Sequence, residues 1–372
     1  MTGPVVITGG GTGGHVFPMQ AVADALRDAG LTSNELRFVG SRRGQERRLL
    51  ANDSVALTLL PGRGLRRSWR ANDVVANVGA AVGLLSALSR ALVLVRRWRP
   101  SVVVSVGGYA SFAVSVAAMC WRRPLVLVEL DAAPGAAQRF VAHYATKRCC
   151  AFPIAGDNVV VTGAPLRAAI EHVDRSKDAR DAAKAALVPP IDARRMVVVV
   201  MTGSLGSTRV NRAVRELAVV WSARSDRAIL HVTGRRDFDE MSLKVPASDG
   251  LDYRVLSFGD MVELWTLSDV AICRAGAVTV AELTALSIPS ILVPLPGAPG
   301  DHQTRNAETV VGVGGAQLLR DKDCTGATLA ELLDTIMDPM TLASMTRGAA
   351  TLAKRGAARD IASVILDVRG TP

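Results

Sequence analysis

Aromatic residues and cysteine are scarce in this 372-residue chain. Aromatic residues make up 4% of it against 49% hydrophobic residues in all, and the apolar Ala, Val and Leu favour helices packed on parallel strands over a β-sandwich. The five cysteines form no paired CxxC motifs, and Cys149 and Cys150 are adjacent, so we expect neither a disulfide framework nor a metal site. The N-terminus lacks a basic segment followed by a long apolar one, so we expect no secretory signal and a cytoplasmic chain.

Acidic residues are few in the first half of the chain. Residues 1–165 contain 19 Lys/Arg and 9 Asp/Glu, whereas residues 166–372 contain 25 of each, so the whole net charge of +10 belongs to the first half. Such a basic half attracts phosphate, an anionic membrane surface or nucleic acid. The alternative is a surface that only keeps the protein in solution.

One stretch, residues 74–95, is long and apolar enough to cross a bilayer. Its polar residues recur at helical intervals on one face; they are Ser86, Ser89, Arg90, Arg96 and Arg97. The opposite face carries Leu85, Leu88, Leu92 and Val95. This pattern predicts an amphipathic helix that does not span the membrane. The alternative is a helix of the protein core with one solvent-exposed face.

Short apolar runs alternate with helical patterns along the chain. Strands are predicted at 5–8, 36–40, 55–60, 102–106, 125–129, 159–162, 196–202, 229–233, 253–257, 270–273, 290–293 and 316–318. Buried strands separated by helices indicate doubly wound parallel sheets. We therefore predict an α/β protein with two Rossmann-like domains facing a cleft. The predicted divisions are 1–163, 164–340 and C-terminal helices over 341–372, with the N-terminal domain as one candidate packing partner of these helices.

The first predicted strand leads into a glycine-rich turn. Gly9, Gly11 and Gly14 match G-x-G-x-x-G, a pattern that dinucleotide-binding enzymes share. The acidic ribose ligand expected after the second strand is missing, and Arg42 and Arg43 stand there instead, which leaves an NADP-dependent oxidoreductase as an alternative. No lysine follows the glycines, which excludes a Walker A loop.

The same turn opens a helix, whose amides and dipole favour a bound diphosphate. His15 lies at this helix start, where the dipole favours the neutral imidazole that can accept a proton. A capping or hydrogen-bonded histidine is the structural alternative.

In the second half, Thr279 and Glu282 are three residues apart after a glycine-containing turn. On a helix they share one face, where a carboxylate can accept hydrogen bonds from ribose hydroxyls; a capping arrangement is the alternative. Asp301, His302, Gln303 and Asn306 cluster after a Pro/Gly-rich loop, a common place for ligand contacts.

Six segments together resemble the MurG family of bacterial N-acetylglucosaminyltransferases. They are GGGTGGHVFPMQAVADAL at 9–26, SVGGYASF at 105–112, GAPLR at 163–167, TGSLGS at 202–207, CRAGAVTVAEL at 273–283 and DHQTRNA at 301–307. They follow the family order across the chain. The resemblance implies a GT-B glycosyltransferase that transfers N-acetylglucosamine, with inversion, from UDP-GlcNAc to undecaprenyl-diphospho-N-acetylmuramoyl-pentapeptide (lipid I), giving lipid II for peptidoglycan.

The resemblance also implies roles for individual residues. The donor UDP-sugar would contact Arg167, Ser204, Phe258, Ala277, Val278, Thr279, Glu282, His302 and Gln303. The acceptor would contact Thr12, Gly13, Gly14, Gly107, Gly108, Tyr109 and Asp131. The catalytic base would be His15, with Glu129 as second candidate. The basic N-terminal half, with Arg96, Arg97, Trp98 and Arg99, would face the cytoplasmic surface of the inner membrane as a peripheral protein, with no nucleic acid partner.

The chain departs from the family at one segment. The family has His-Glu-Gln-Asn where this chain has Val128, Glu129, Leu130 and Asp131. A carboxylate at Asp131 cannot donate to a sugar oxygen as an amide does, so acceptor identity stays open here. No cofactor or metal is expected to be required, because helix ends and arginine hold the diphosphate, although stimulation by a divalent cation stays open. A GT-B epimerase of UDP-GlcNAc, a transferase with another lipid acceptor and an inactive UDP-binding protein are further alternatives.

Overall fold

The computed structural model describes residues 3–62, 71–203, 206–243 and 245–370, with the side chains of 71–80 left out. The chain forms two compact units, Met1–Arg167 together with Gly356–Pro372 (unit 1) and Ala168–Arg355 (unit 2). The change from unit 1 to unit 2 therefore comes after Arg167, a few residues later than the predicted division after Gly163.

Unit 1 is built on a seven-stranded sheet whose paired strands are all parallel. Its strands are β1 Val5–Thr8, β2 Leu36–Ser41, β3 Ala56–Leu60, β4 Val102–Ser105, β5 Leu125–Glu129, β6 Lys147–Cys150 and β7 Val159–Val161, in the order β3-β2-β1-β4-β5-β6-β7. Its helices before residue 168 are α1 Gly13–Asp28, α2 Glu46–Leu49, α3 Ala71–Trp98, α4 Tyr109–Cys120 and α5 Ala136–Ala142. The order reverses at β1, so the β1–α1 and β4–α4 turns meet at the topological switch point, where doubly wound sheets bind ligands.

Helix α3 covers the apolar stretch and differs in detail from the predicted amphipathic pattern. Ala87, Ala91 and Val95 form its buried stripe, whereas Leu85, assigned above to the apolar face, is 65% exposed. Alanines at intervals of four let α3 approach α4 closely, and both helices share one hydrophobic cluster. In the described part of the chain, no helix has the length and apolarity that a membrane span requires.

Unit 2 repeats the architecture with six parallel strands. Its strands are β8 Met196–Met201, β9 Arg227–Val232, β10 Asp252–Leu256, β11 Val270–Cys273, β12 Ser290–Leu292 and β13 Ala316–Leu318, in the order β10-β9-β8-β11-β12-β13. Its helices are α6 Ala168–Glu171, α7 Lys177–Ala186, α8 Thr208–Val220, α9 Phe238–Leu243, α10 Met261–Leu267, α11 Ala277–Ala285, α12 His302–Gly312, α13 Gly326–Ile336 and α14 Pro339–Ala350. Both doubly wound sheets confirm the predicted fold class.

The C-terminal helices divide between the units. Helix α14 belongs to unit 2, and the last helix, α15 (Ala357–Gly370), belongs to unit 1. Helix α15 packs against α1, and Arg369 near its end makes a 2.8 Å ion pair with Glu35. Within the predicted segment 341–372, α15 therefore belongs to the N-terminal unit and α14 to unit 2.

Candidate active site

The first glycine turn links β1 to α1 and is braced by a buried carboxylate. The amides of Gly11 and Ser41 both donate to Oε1 of Glu46, at 3.0 and 2.7 Å, and Glu46 has no exposed surface. The amide of Gly11 is therefore used in a hydrogen bond within the fold. The amides at the start of α1 are the candidates for binding an anion. Thr12 is the exposed, extended residue before that start, and the helix begins with Gly13 and Gly14.

A second turn, between β4 and α4, lies against the first. Gly108 has φ of 93°, and a β-carbon there would lie 2.3 Å from the carbonyl oxygen of Gly10. Only glycine permits both this backbone conformation and this approach. The two turns predicted to bind the acceptor are therefore in direct contact.

His15, Gly107 and Gln138 converge beside these turns. A β-carbon at Gly107 would lie 3.2 Å from Nε2 of His15 and 3.7 Å from Nε2 of Gln138. The half-buried imidazole thus shares a small space with a side-chain amide from α5. Gln138 belongs to none of the quoted motifs, and only the fold brings it to His15.

Three other residues predicted from the resemblance lie in unit 1. The hydroxyl of Tyr109 is buried against Gly62 and Gly83, and burial raises its pKa. The guanidinium of Arg167 stacks over the ring of Phe17 in α1, 4.3 Å from its centre, so Arg167 lies near the start of α1. Asp131 is half-buried just after β5.

Glu129 ends β5 and is held by an arginine. Its Oε1 and Oε2 accept from Nε and Nη2 of Arg148, at 3.3 and 2.9 Å, and its side chain is 2% exposed. Two charge-assisted hydrogen bonds from one guanidinium fix the position of this carboxylate at the end of β5.

In unit 2, the second glycine turn follows β8. The amide of Gly206 donates to the carbonyl of Gly203 at 3.0 Å, and α8 begins at Thr208. Ser204, which the resemblance placed at the diphosphate, lies outside the described residues. The position of this turn can still be followed from Gly203, Gly206 and Ser207.

Arg274 joins the loops around that turn. Its Nη2 donates to Oγ of Ser207 and to Oδ1 of Asp321, both at 2.6 Å, and its Nη1 donates to the carbonyls of Val293 and Pro294, both at 3.0 Å. Its side chain is 12% exposed. One guanidinium, in the loop after β11, thus links the segments that follow β12 and β13 to Ser207, the residue before α8.

The predicted ribose ligand, Glu282, lies on α11 and is 6% exposed. Its Oε2 accepts from the indole N–H of Trp265 at 3.0 Å. Because Trp265 is wholly buried, the carboxylate has a rigid support. Trp265 belongs to none of the quoted motifs, and the packing of α10 positions it.

The remaining predicted donor residues are at the carboxyl ends of β10, β11 and β12. Ala277, Val278 and Thr279 form the first turn of α11, where amides point toward a ligand. Phe258 follows β10 and is 69% exposed, so its ring is available to stack on a base.

Two side chains at the start of α12 have fixed hydrogen-bonding roles. Nδ1 of His302 lies 2.8 Å from the carbonyl oxygen of Pro299, which can only accept, so Nδ1 carries the proton and Nε2 is left as an acceptor. Oε1 of Gln303 accepts from the amide of Leu295 at 2.9 Å, so its amino group is left as a donor. An adjacent acceptor and donor suit the hydroxyls of a sugar.

Comparisons with known proteins match both parts of the chain. Residues 5–149 match the glycosyltransferase family 28 N-terminal domain and residues 197–362 match the C-terminal domain. Two curated relatives carry the name UDP-N-acetylglucosamine–N-acetylmuramyl-(pentapeptide) pyrophosphoryl-undecaprenol N-acetylglucosamine transferase. That of Alkalilimnicola ehrlichii is 36% identical and that of Pseudomonas aeruginosa (strain LESB58) is 36% identical, each over 99% of both chains.

Solved structures show the same fold. The crystal structure of Acinetobacter baumannii MurG covers 98% of this chain and 99% of its own, with a TM-score of 0.77 and 26% identity. The match to the calicheamicin glycosyltransferase CalG4 covers 100% of each chain, with a TM-score of 0.70 and 13% identity. The match to a UDP-N-acetylglucosamine 2-epimerase covers 99% of this chain and 97% of the other, with a TM-score of 0.62 and 13% identity. The last two similarities concern the fold alone.

Two doubly wound units with a glycine turn at each switch point, matched by both family models, define a glycosyltransferase of the GT-B fold. Within that class, the chain belongs to glycosyltransferase family 28 and to its MurG family. The expected family is confirmed, and the NADP-dependent oxidoreductase is not retained.

Proposed function

We propose that this enzyme transfers N-acetylglucosamine from UDP-GlcNAc to lipid I, with inversion at the anomeric carbon, and so makes lipid II for peptidoglycan. The observation that carries the proposal is the 36% identity to transferases of that name over 99% of the chain. The test is incubation with UDP-GlcNAc with and without lipid I. We expect UDP and lipid II only when both substrates are present; turnover of UDP-GlcNAc without acceptor would support an epimerase instead.

The donor binds unit 2. The exposed ring of Phe258 stacks on uracil, Glu282 accepts from ribose, and His302 and Gln303 meet the sugar hydroxyls. The second glycine turn and the start of α11 hold the diphosphate, whose charge grows as it leaves.

The acceptor binds unit 1. Its diphosphate meets the amides at the start of α1, and its attacking hydroxyl lies near the imidazole of His15, which takes the proton. Gln138 supplies an amide beside that imidazole, a donor type that Asp131 lacks. No metal is required in this scheme, so we expect full turnover in EDTA, with cation stimulation as the alternative outcome.

The donor site can be tested at Glu282. Glu282→Ala should weaken UDP-GlcNAc binding by about 1.5 to 3 kcal/mol, the range for a hydrogen bond to a charged group. Calorimetry on the folded variant measures this. Glu263→Ala, an exposed carboxylate on neighbouring α10, is the matched control and should bind as wild type; equal affinity of both variants would remove Glu282 from the site.

A surface on unit 1 combines exposed apolar and basic side chains, and we call it the α3 patch. Val82, Leu85 and Val93 on α3 are 62 to 65% exposed. Three arginines, Arg96, Arg97 and Arg99, line a shallow pocket of about 650 Å³ with Val93. The guanidinium of Arg96 lies over Trp121, 5.3 Å from the ring centre. Apolar side chains beside arginines and a tryptophan suit an anionic lipid surface, which supports peripheral attachment at the cytoplasmic face of the inner membrane.

Membrane attachment predicts salt-sensitive binding. The protein should sediment with anionic vesicles, far less with neutral ones, and detach as salt rises, because the Debye length falls from about 10 Å at 0.1 M to about 3 Å at 1 M. Arg96→Glu combined with Arg97→Glu should lower binding strongly. Arg212→Glu combined with Arg347→Glu, which reverses two exposed arginines on α8 and α14 of unit 2, is the charge control and should change little. An equal loss in both double variants would show that only net charge matters.

A further inference from the structure

His231 is a fully buried histidine on β9 that the proposed mechanism does not use. Burial lowers its pKa to about 3, so the ring is neutral at neutral pH and carries one proton. Nδ1 lies 2.9 Å from the hydroxyl of Tyr253, and Nε2 lies 3.0 Å from Oδ1 of Asn211. Both ring nitrogens therefore have partners inside unit 2.

The partners fix which nitrogen carries the proton. Nδ2 of Asn211 donates to the carbonyl of Thr233 at 3.0 Å and to Oδ2 of Asp237 at 2.9 Å, so the atom that Asn211 turns toward His231 is its oxygen. An amide oxygen only accepts, so Nε2 of His231 is the donor, and Nδ1 accepts from the Tyr253 hydroxyl. The hydrogen bonds thus run in one direction, from Tyr253 through His231 and Asn211, and we call these three residues the relay.

The relay ends on groups that hold the second glycine turn. Gly206 has φ of 73° and lies against the carbonyl oxygen of Thr233. A β-carbon at Gly206 would lie 2.0 Å from that oxygen. Oδ2 of Asp237 accepts from the hydroxyl of Thr208, the first residue of α8, at 3.1 Å. The two groups that accept hydrogen bonds from Asn211 therefore also contact this turn and helix. The Thr233 carbonyl lies against Gly206, and the Asp237 carboxylate binds Thr208.

We propose that His231 is a positioning residue for the nucleotide-sugar diphosphate, because its fixed tautomer orients Asn211 and, through it, Gly206 and Thr208. The proposal rests on the proposed function, in which the second glycine turn holds the diphosphate. An apolar side chain at the same place would fill the space but leave the buried Asn211 oxygen without its donor and the half-buried Tyr253 hydroxyl without its acceptor. Asn211 would then be free to rotate its amide away from Thr233.

Two substitutions separate hydrogen bonding from packing. His231→Gln keeps a donor and an acceptor on adjacent atoms and should bind UDP within about threefold of wild type. His231→Leu keeps the volume but removes both bonds, and should weaken UDP binding about tenfold and raise the donor KM, with the KM for lipid I unchanged. Ile229→Ala, on the same face of β9 and equally buried, is the control for loss of stability and should leave UDP affinity near wild type.

Calorimetry with UDP, steady-state kinetics and melting temperatures on these four proteins decide the matter. Equal UDP affinity in wild type and His231→Leu, or an equal loss in Ile229→Ala, would overturn the positioning role. Should His231→Leu fail to fold, His231→Met replaces it, since methionine also lacks both ring nitrogens, and an unchanged donor KM there would overturn the role as well. Nitrogen NMR should show the Nε2–H tautomer in wild type, and the Nδ1–H tautomer would refute the relay. Failure of the wild type to bind UDP would instead refute the proposed function.

Discussion

His15→Ala lowers kcat by roughly 10² to 10⁴, the usual worth of a general base, and leaves UDP affinity near wild type. The reason is the location of the imidazole at the start of α1, next to Gly107 and Gln138 in unit 1, whereas the proposed uridine contacts are in unit 2. The measurements are kcat, UDP affinity by calorimetry and melting temperature on one purified variant.

The control for this prediction is His143→Ala, which removes an exposed histidine at the end of α5 in the same unit and should retain full turnover. A structural cap at His15 would give a different result, a loss of about 0.5 to 2 kcal/mol in the free energy of unfolding with little change in kcat. A stable His15→Ala enzyme with near-normal kcat would exclude His15 as the base and make Glu129 the next residue to test, despite its pairing with Arg148.

Arg274→Ala should lower the free energy of unfolding by about 3 to 5 kcal/mol, the cost of removing one partner of a buried ion pair, and should also abolish tight UDP binding. The substitution leaves Asp321 with only the longer 3.2 Å contact to Arg209, and it leaves two backbone carbonyls without their donor. The segments after β11, β12 and β13 and the residue before α8 would lose their common hydrogen-bond donor. Urea unfolding and UDP calorimetry measure the two effects.

Arg224→Ala provides the matched control for Arg274. Arg224 also pairs with two carboxylates, Asp226 and Asp334, but it is 37% exposed, so its removal should cost under about 1 kcal/mol. Arg274→Lys should recover part of the stability through the charge near Asp321 and little of the UDP affinity, because an ammonium cannot reproduce the planar fork. Equal losses for the two alanine variants would show that burial of Arg274 is unimportant.

The strands were readable from the sequence because buried parallel strands are continuous apolar runs. All twelve predicted strands are present, with ends shifted by at most two residues. The strand that was missed is β6, Lys147–Cys150, which begins with two basic residues. Arg148 is half-buried there and pairs with Glu129 on the neighbouring strand. A local sequence pattern does not show such a partner.

The candidate site was predictable only in part, for a related physical reason. Motifs led to His15 and Glu282 because glycine turns and helix starts are local features. Glu46, Gln138 and Trp265 were not found, since each acts on a segment distant in sequence. Their roles depend on which strands become neighbours, and local periodicity does not contain that information.

The division of the chain between the units has a consequence for synthesis. Unit 2 is one continuous stretch, residues 168–355, inserted between two pieces of unit 1. A ribosome therefore completes the whole of unit 2 before it makes α15, which supplies Ile361 and Ile365 to the buried interior of unit 1 and Arg369 to its ion pair with Glu35. Because domains fold as units during translation, unit 2 can fold before unit 1. Unit 1, including the glycine turn before α1, is complete only after α15 has been made and has packed against α1.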